Sequence, residues 1–154
     1  MLDLYEELEA VLSALEAAHL PYALCGGLAL AVYGRPRATV DIDLLVEPGS
    51  LDAALLALHP LGFDVAALPM AFAGGAVEIR RVSKVDSDAD DLLSVDLLLV
   101  TPALSAVWEG RRTVRWEGRS LPVVSREGLI ALKELRGSGQ DRDDIEILRG
   151  IDEG

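Results

Sequence analysis

Residues 25–48 read CGGLALAVYGRPRATVDIDLLVEP: two glycines, Gly26 and Gly27, a short apolar run, and then Asp41 and Asp43 inside a strand-like segment. Successive side chains of a strand point to opposite faces, so Val40, Ile42 and Leu44 form one row and Arg37, Thr39, Asp41 and Asp43 the other. The first row is a core face. The second carries two carboxylates whose Cα atoms lie about 7 Å apart at ~3.4 Å of rise per residue. Two negative charges ~4 Å apart cost on the order of 4 kcal/mol at an effective dielectric near 20, so a cation must offset them. A divalent metal suits hard oxygen donors; the alternative is a surface pair held by Arg35 or Arg37.

The flanking sequence alternates helical and strand patterns. Residues 2–19 place Leu2, Tyr5, Leu8, Val11, Leu12 and Leu15 at helical spacing, and Pro21 ends the segment. YALCG (22–26) predicts a short buried strand, Gly26 and Gly27 open a helix over 28–33, and ATVDIDLLV (38–46) is a strand. A helix over 51–58 follows, with Ser50 as its cap and Pro60 and Gly62 as its stop. A short strand over 63–68 precedes two longer ones, 76–85 and 92–100, which form an antiparallel hairpin across DSDAD. Then come a short helix over 103–108, a second hairpin TVRWEGRSLPVV turning near Glu117 and Gly118, a helix over 126–136 starting at Ser125, and a last helix over 141–149. GSGQ is the only linker-like stretch. Interleaved helices and strands predict an α/β or α+β fold with a mixed sheet flanked by helices.

A third acid stands out in LLSVDLLLV. Asp96 lies mid-strand in an apolar segment, where an unpaired carboxylate is costly. If its strand lies beside the first, Asp41, Asp43 and Asp96 make a three-carboxylate site for one or two Mg²⁺ ions, able to clamp a triphosphate and activate a hydroxyl. The alternative is a backbone or arginine partner for Asp96. Gly26 and Gly27, at a strand end and helix start, would let a phosphate approach closely. Other motifs carry less. Asp86, Asp88 and Asp90 imitate an EF-hand start, but the loop has Asp91 where glycine is needed and Leu97 where glutamate is needed. His19 and His59 read as helix-end or surface residues, and no nucleophile-elbow pattern is present.

Composition sets limits. A chain of 154 residues, 51% apolar and 26% charged, has the balance of one soluble globular domain. No apolar run approaches the ~20 residues of a membrane span, and the acidic amphipathic start differs from a secretory signal, so a cytoplasmic protein is expected. Cys25 stands alone, which excludes an internal disulfide or a cysteine zinc cage, and reads as core packing. The net charge of −12 repels nucleic acid unless a local basic patch intervenes. Arg80, Arg81 and Lys84, and Arg111, Arg112, Arg115 and Arg119, are read as charged strand-edge patterns that discourage aggregation.

The pair Gly26-Gly27, thirteen intervening residues, and Asp41-Ile-Asp43 resemble the signature of the nucleotidyltransferase superfamily that shares the DNA polymerase β palm. GGLALAVYGRPRATVDIDLLV is similar to small bacterial members, which include minimal nucleotidyltransferases, abortive-infection toxins and antibiotic-modifying adenylyltransferases. The resemblance implies a polymerase-β-like fold, with a nucleotidyltransferase domain over 1–136 and a C-terminal helix over 137–154 packed on it. It implies Mg²⁺ on Asp41 and Asp43, with Asp96 as third ligand and base, and transfer of an NMP from an NTP such as ATP to an acceptor hydroxyl with loss of pyrophosphate. It places Gly26, Gly27, Arg37, Thr39 and Lys133 at the nucleotide. Where relatives carry Gly-Ser this chain has Gly27, so that contact falls to the backbone. Asp141 and Asp144 are left with a helix N-terminal role. The acceptor could be a protein side chain, a tRNA end or a small molecule, and a partner protein could supply part of its site. The alternative function is a catalytically silent binding subunit or antitoxin-like partner.

Overall fold

The computed structural model describes residues 2–34, 41–137 and 139–150, with the side chains at 139–141 and 144 outside the description. Asp3 starts helix α1 (Leu4–Ala17): its carboxylate accepts the Glu6 N–H at 3.0 Å, and Glu6 and Glu7 complement the positive end of the helix dipole. Leu8, Val11, Leu12 and Leu15 form its buried stripe. The helix closes at His19, whose φ of 57° is left-handed, with the Leu20 N–H donated to the Leu15 carbonyl at 2.9 Å. His19 thus serves the helix end, as its position predicts.

Strand β1 (Ala23–Cys25) runs directly into α2 (Gly26–Val32), followed by β2 (Asp41–Val46) and α3 (Leu51–Leu58). Two short strands, β3 (Val65–Ala66) and β4 (Met70–Phe72), precede the hairpin β5 (Val77–Asp86) and β6 (Asp91–Leu99). Then come α4 (Ser105–Glu109), the hairpin β7 (Arg112–Trp116) and β8 (Arg119–Val123), α5 (Arg126–Arg136) and α6 (Gly139–Arg149). The expected single strand over 63–68 is corrected: only Val65 and Ala66 pair there, and β4 forms separately beyond Pro69. Val65 and Leu68 are exposed, so no alternation marks the segment, and Pro69 has no N–H for a ladder.

The sheet order is β3-β5-β6-β2-β1-β8-β7, with β4 also on β5. β2 is parallel to β6 and antiparallel to β1, while β1 is parallel to β8, so the sheet is mixed as expected. Lys84 and Arg81, three apart on β5, point to opposite faces. Lys84 donates to Glu7 at 2.8 Å, which puts α1 on its face; α3 packs against α1. The other face carries the carboxylates and is covered by α5, whose Ser125 cap accepts the Gly128 N–H at 3.1 Å. Ile42, Leu44, Val95 and Leu97 are fully buried on the α1 side, and Ile145 and Leu148 of α6 are buried too. No helix among the described residues is long and apolar enough to cross a membrane.

The basic clusters separate. β7 ends the sheet, and Arg112 and Arg115 are exposed there, which fits an edge pattern. β5 is interior, because β3 and β4 pair on its far side; Lys84 is engaged with Glu7, and Arg81 with Asp96. The edge reading of Arg81 is therefore corrected.

Candidate active site

Four side chains share one row across the middle of the sheet. The register sets Cys25 against Asp43, Asp43 against Asp96, and Asp96 against Arg81. Residues in register point to the same face, so two carboxylates and a guanidinium lie side by side, with Asp41 one pleat away on the same face. Asp41 and Asp43 come from one strand by period-two alternation; Asp96 joins them because β6 lies parallel beside β2. Arg81 grips Asp96 with a two-pronged fork, Nε to Oδ1 at 2.7 Å and Nη2 to Oδ2 at 2.9 Å, and its Nη2 stands 3.7 Å from Asp41 Oδ2.

Gly26 is part of this construction. Its φ is +69°, and a Cβ there would overlap the Asp43 side chain, falling 2.7 Å from Cγ and 2.9 Å from the Asp43 Cβ. The space that glycine leaves open is filled by the acid itself. The Asp43 carboxyl is pushed up to about 7, first by burial, then by the charges of Asp96 and Asp41 and a hydrogen bond to Asp96. Burial and Asp96 also raise Asp41, against the pull of Arg81. Burial likewise raises the Cys25 thiol, and the neighbouring Asp43 adds to it, so Cys25 is a neutral core residue, as its sequence context predicts.

These shifts predict a pH dependence for the metal-free protein. Between the ordinary carboxylate value near 4 and about 7, the folded state holds a proton on Asp43 that the unfolded chain has released. That contribution to stability is complete below the unfolded value and is lost as pH rises through 7. In chelator, the melting temperature is expected to fall between pH 6 and pH 8.5. A flat or rising profile over that interval contradicts the assignment.

A cavity of about 230 Å³ opens over the row between the sheet and α5. Gly26, Gly27, Lys133 and Arg136 line one side, the three carboxylates and Arg81 the middle, and Met70, Phe72, Val77, Ile79 and Leu98 the other. Of the residues expected at the site, the fold brings Asp41, Asp43, Asp96, Gly26, Gly27 and Lys133 to this cavity; Arg37 and Thr39 lie outside the described residues. Sequence reading misses Arg81, Arg136 and the apolar wall. For Arg81 a signal exists: pairing Asp86 with Asp91 across the DSDAD turn and counting back along both strands brings Arg81 opposite Asp96.

The donor set suits a hard divalent cation such as Mg²⁺, being all carboxylate oxygen, with repulsion that Arg81 offsets only in part. Among the described residues no three His, Cys, Asp or Glu side chains gather round one point, and both oxygens of Asp96 accept from Arg81.

The sequence pattern of the nucleotidyl transferase AbiEii toxin of type IV toxin–antitoxin systems matches residues 10–134. No curated protein matches the chain. Among solved structures the fold is similar to the lincomycin-bound lincosamide antibiotic adenylyltransferase LnuA, at 17% identity and a TM-score of 0.63, covering 96% of this chain and 97% of that one. It is also similar to a putative nucleotidyltransferase from Thermotoga maritima, at 15% identity and a TM-score of 0.64, covering 94% and 89%. A third similar structure is ANT(2'')-Ia in complex with adenylyl-2''-tobramycin, at 16% identity and a TM-score of 0.62, covering 92% and 84%. At these identities the three structures establish the nucleotidyltransferase fold.

Proposed function

This chain belongs to the AbiEii nucleotidyltransferase toxin family, and from that premise we propose that it moves an NMP from an NTP to an acceptor hydroxyl in a Mg²⁺-dependent reaction that releases pyrophosphate. The observation that carries the reading is the register of β2 on β6, which sets Asp43 beside Asp96 with Asp41 on the same face. Asp41 and Asp43 would hold the metal, with Asp96 as a third ligand once its oxygens are free of Arg81. When bound, the metal supplies Lewis-acid polarisation of the phosphoryl oxygens and neutralises the developing charge.

The chain's own residues divide the remaining work. Lys133 and Arg136, one turn apart on α5, give the cavity a cationic side for the triphosphate, beside Gly26 and Gly27. Asp96 accepts the acceptor's proton. The acceptor oxygen then bonds to the α-phosphorus as the bond from that phosphorus to the bridging oxygen breaks, and pyrophosphate departs. Catalysis of this kind is positioning and charge stabilisation, which a rigid sheet row provides. One neighbouring structure holds lincomycin and another holds adenylyl-2''-tobramycin, which supports a small-molecule acceptor as the first class to assay. tRNA ends and protein side chains are the other two. The family description favours an antitoxin as protein partner, and the need for NTP favours a cytoplasmic site of action.

Labelled NTPs, supplied singly with Mg²⁺ and a cell lysate, are expected to mark a discrete product. Asp41→Asn is expected to abolish the labelling while leaving the circular dichroism unchanged. Mg²⁺ with the correct NTP at 100 times its Kd should stabilise the protein by about 2.7 kcal/mol. Labelling that survives Asp41→Asn moves the active site elsewhere; absence of stabilisation by any NTP points to a silent binding subunit.

A further inference from the structure

The two oxygens of Asp96 are already occupied. Arg81 takes both in its fork, at 2.7 and 2.9 Å, and reaches to 3.7 Å from Asp41. The guanidinium thus stands in the place that a cation shared by Asp41 and Asp96 would claim. We propose that Arg81 withholds the third carboxylate from metal in the nucleotide-free enzyme, so that a divalent cation and an NTP load together and the metal does not load first. The proposal rests on the nucleotidyl-transfer reading of the same carboxylates.

A divalent ion coordinated by Asp41, Asp43 and Asp96 would lie against the fixed positive charge of Arg81. Ion and guanidinium compete for the same oxygens, so entry of one requires departure of the other. Arg81 comes from an interior strand, which fixes its backbone, but its side chain is 37% exposed and lines the cavity, so the guanidinium has space to turn. A guanidinium leaving a carboxylate needs another anion with fork-like geometry, and phosphate oxygens supply it. Metal alone offers no such anion. A triphosphate entering the same cavity does. Each ligand therefore tightens the other by the same factor, as linkage requires.

Mn²⁺ is the probe, with free ion counted by electron paramagnetic resonance, in the presence or absence of the α,β-methylene analogues of ATP, GTP, CTP and UTP in turn. With the Mn²⁺–analogue complex measured without protein subtracted, wild-type protein is expected to bind Mn²⁺ at least tenfold more tightly with one of these analogues than without any. R81M, which keeps the length and removes the charge, is expected to bind Mn²⁺ alone at least tenfold more tightly than wild type, with the analogue adding a smaller factor than it adds to wild type, since its phosphate oxygens ligate the ion in both proteins. R81Q is the second neutral variant should R81M fail to fold, and R81K, which keeps a cation, should bind metal alone as weakly as wild type. Adding Asp43→Asn to R81M should remove the gained affinity. The proposal is overturned if the neutral variants bind Mn²⁺ alone no more tightly than wild type, if wild type binds it equally with and without analogue, or if the gain survives Asp43→Asn. If no protein binds Mn²⁺ under any condition, the metal reading of the carboxylates falls along with the gate. If wild type binds both ligands and the neutral variants behave identically to it, the gate alone falls.

Discussion

Gly26→Ala is expected to cut kcat for nucleotidyl transfer by at least ~10²-fold, the scale on which a displacement of about 1 Å at a reacting group is felt. Two effects combine. The backbone at Gly26 has a φ of +69°, where an L side chain costs roughly 1–2 kcal/mol. The added methyl would also fall 2.7 Å from Asp43 Cγ and 2.9 Å from its Cβ, and β2 cannot retreat because its register is fixed by β1 and β6 on either side. The carboxylate must swing out of the row. Gly118→Ala separates the two effects, since Gly118 has a φ of +76° in the β7–β8 turn, and a methyl added there would meet nothing within 4 Å. Its melting temperature should drop by a few degrees, at roughly 3 °C per kcal/mol for a chain of this size, with kcat unchanged. Gly26→Ala should show that drop and more, together with the lost turnover. Retention of kcat within threefold by Gly26→Ala would remove Asp43 from the reaction.

The same glycine shows where sequence reading stops. A Gly-Gly pair at a strand-to-helix turn predicts close approach of something to the backbone, with a phosphate as the expected visitor. In the fold the nearest visitor to Gly26 is Asp43, from a strand seventeen residues away. Local rules suffice for α1, α5 and the carboxylate face of β2, because capping residues, the apolar stripe and period-two alternation are written within a few residues of each other. They suffice also for the hairpin of β5 with β6, whose turn is adjacent in sequence. The parallel register of β2 on β6 joins segments some fifty residues apart with no shared turn to fix it, so the sequence can pose the meeting of Asp43 with Asp96 only as a condition. The interior place of β5 escapes sequence reading for a different reason: it cannot be told from an edge until β3 and β4, which carry no alternation, are seen to pair with it, whereas Arg81 opposite Asp96 is legible from the hairpin register alone.

Asp43→Asn is expected to move activity and stability in opposite directions. On the proposed reading of Asp43 as a metal ligand, losing its oxygen would remove on the order of 4 kcal/mol of transition-state stabilisation, so kcat should fall by ~10³-fold. In the metal-free protein the same carboxylate is a burden. Burial and the charges of Asp96 and Asp41 raise its pKa to about 7, so above that pH the fold holds an ionised group it disfavours. A rise from near 4 to about 7, at ~1.4 kcal/mol per pH unit, places that burden at roughly 4 kcal/mol, and the neutral amide keeps the carboxyl's shape without it. The melting temperature of Asp43→Asn in chelator should therefore exceed wild type by several degrees at pH 8.5 and by about half as much near pH 5.5, where folded wild type has taken the proton but the unfolded chain has not, and meet it only near pH 4. With Mg²⁺ and NTP present at 100 times the Kd the gap should narrow by about 2.7 kcal/mol, because only wild type gains from the ligands. A residue serving the fold alone would lose stability at every pH and with every ligand. If Asp43→Asn melts below wild type at both pH values in chelator, the carboxylate is a structural anchor, and the charge that the row concentrates has no catalytic purpose.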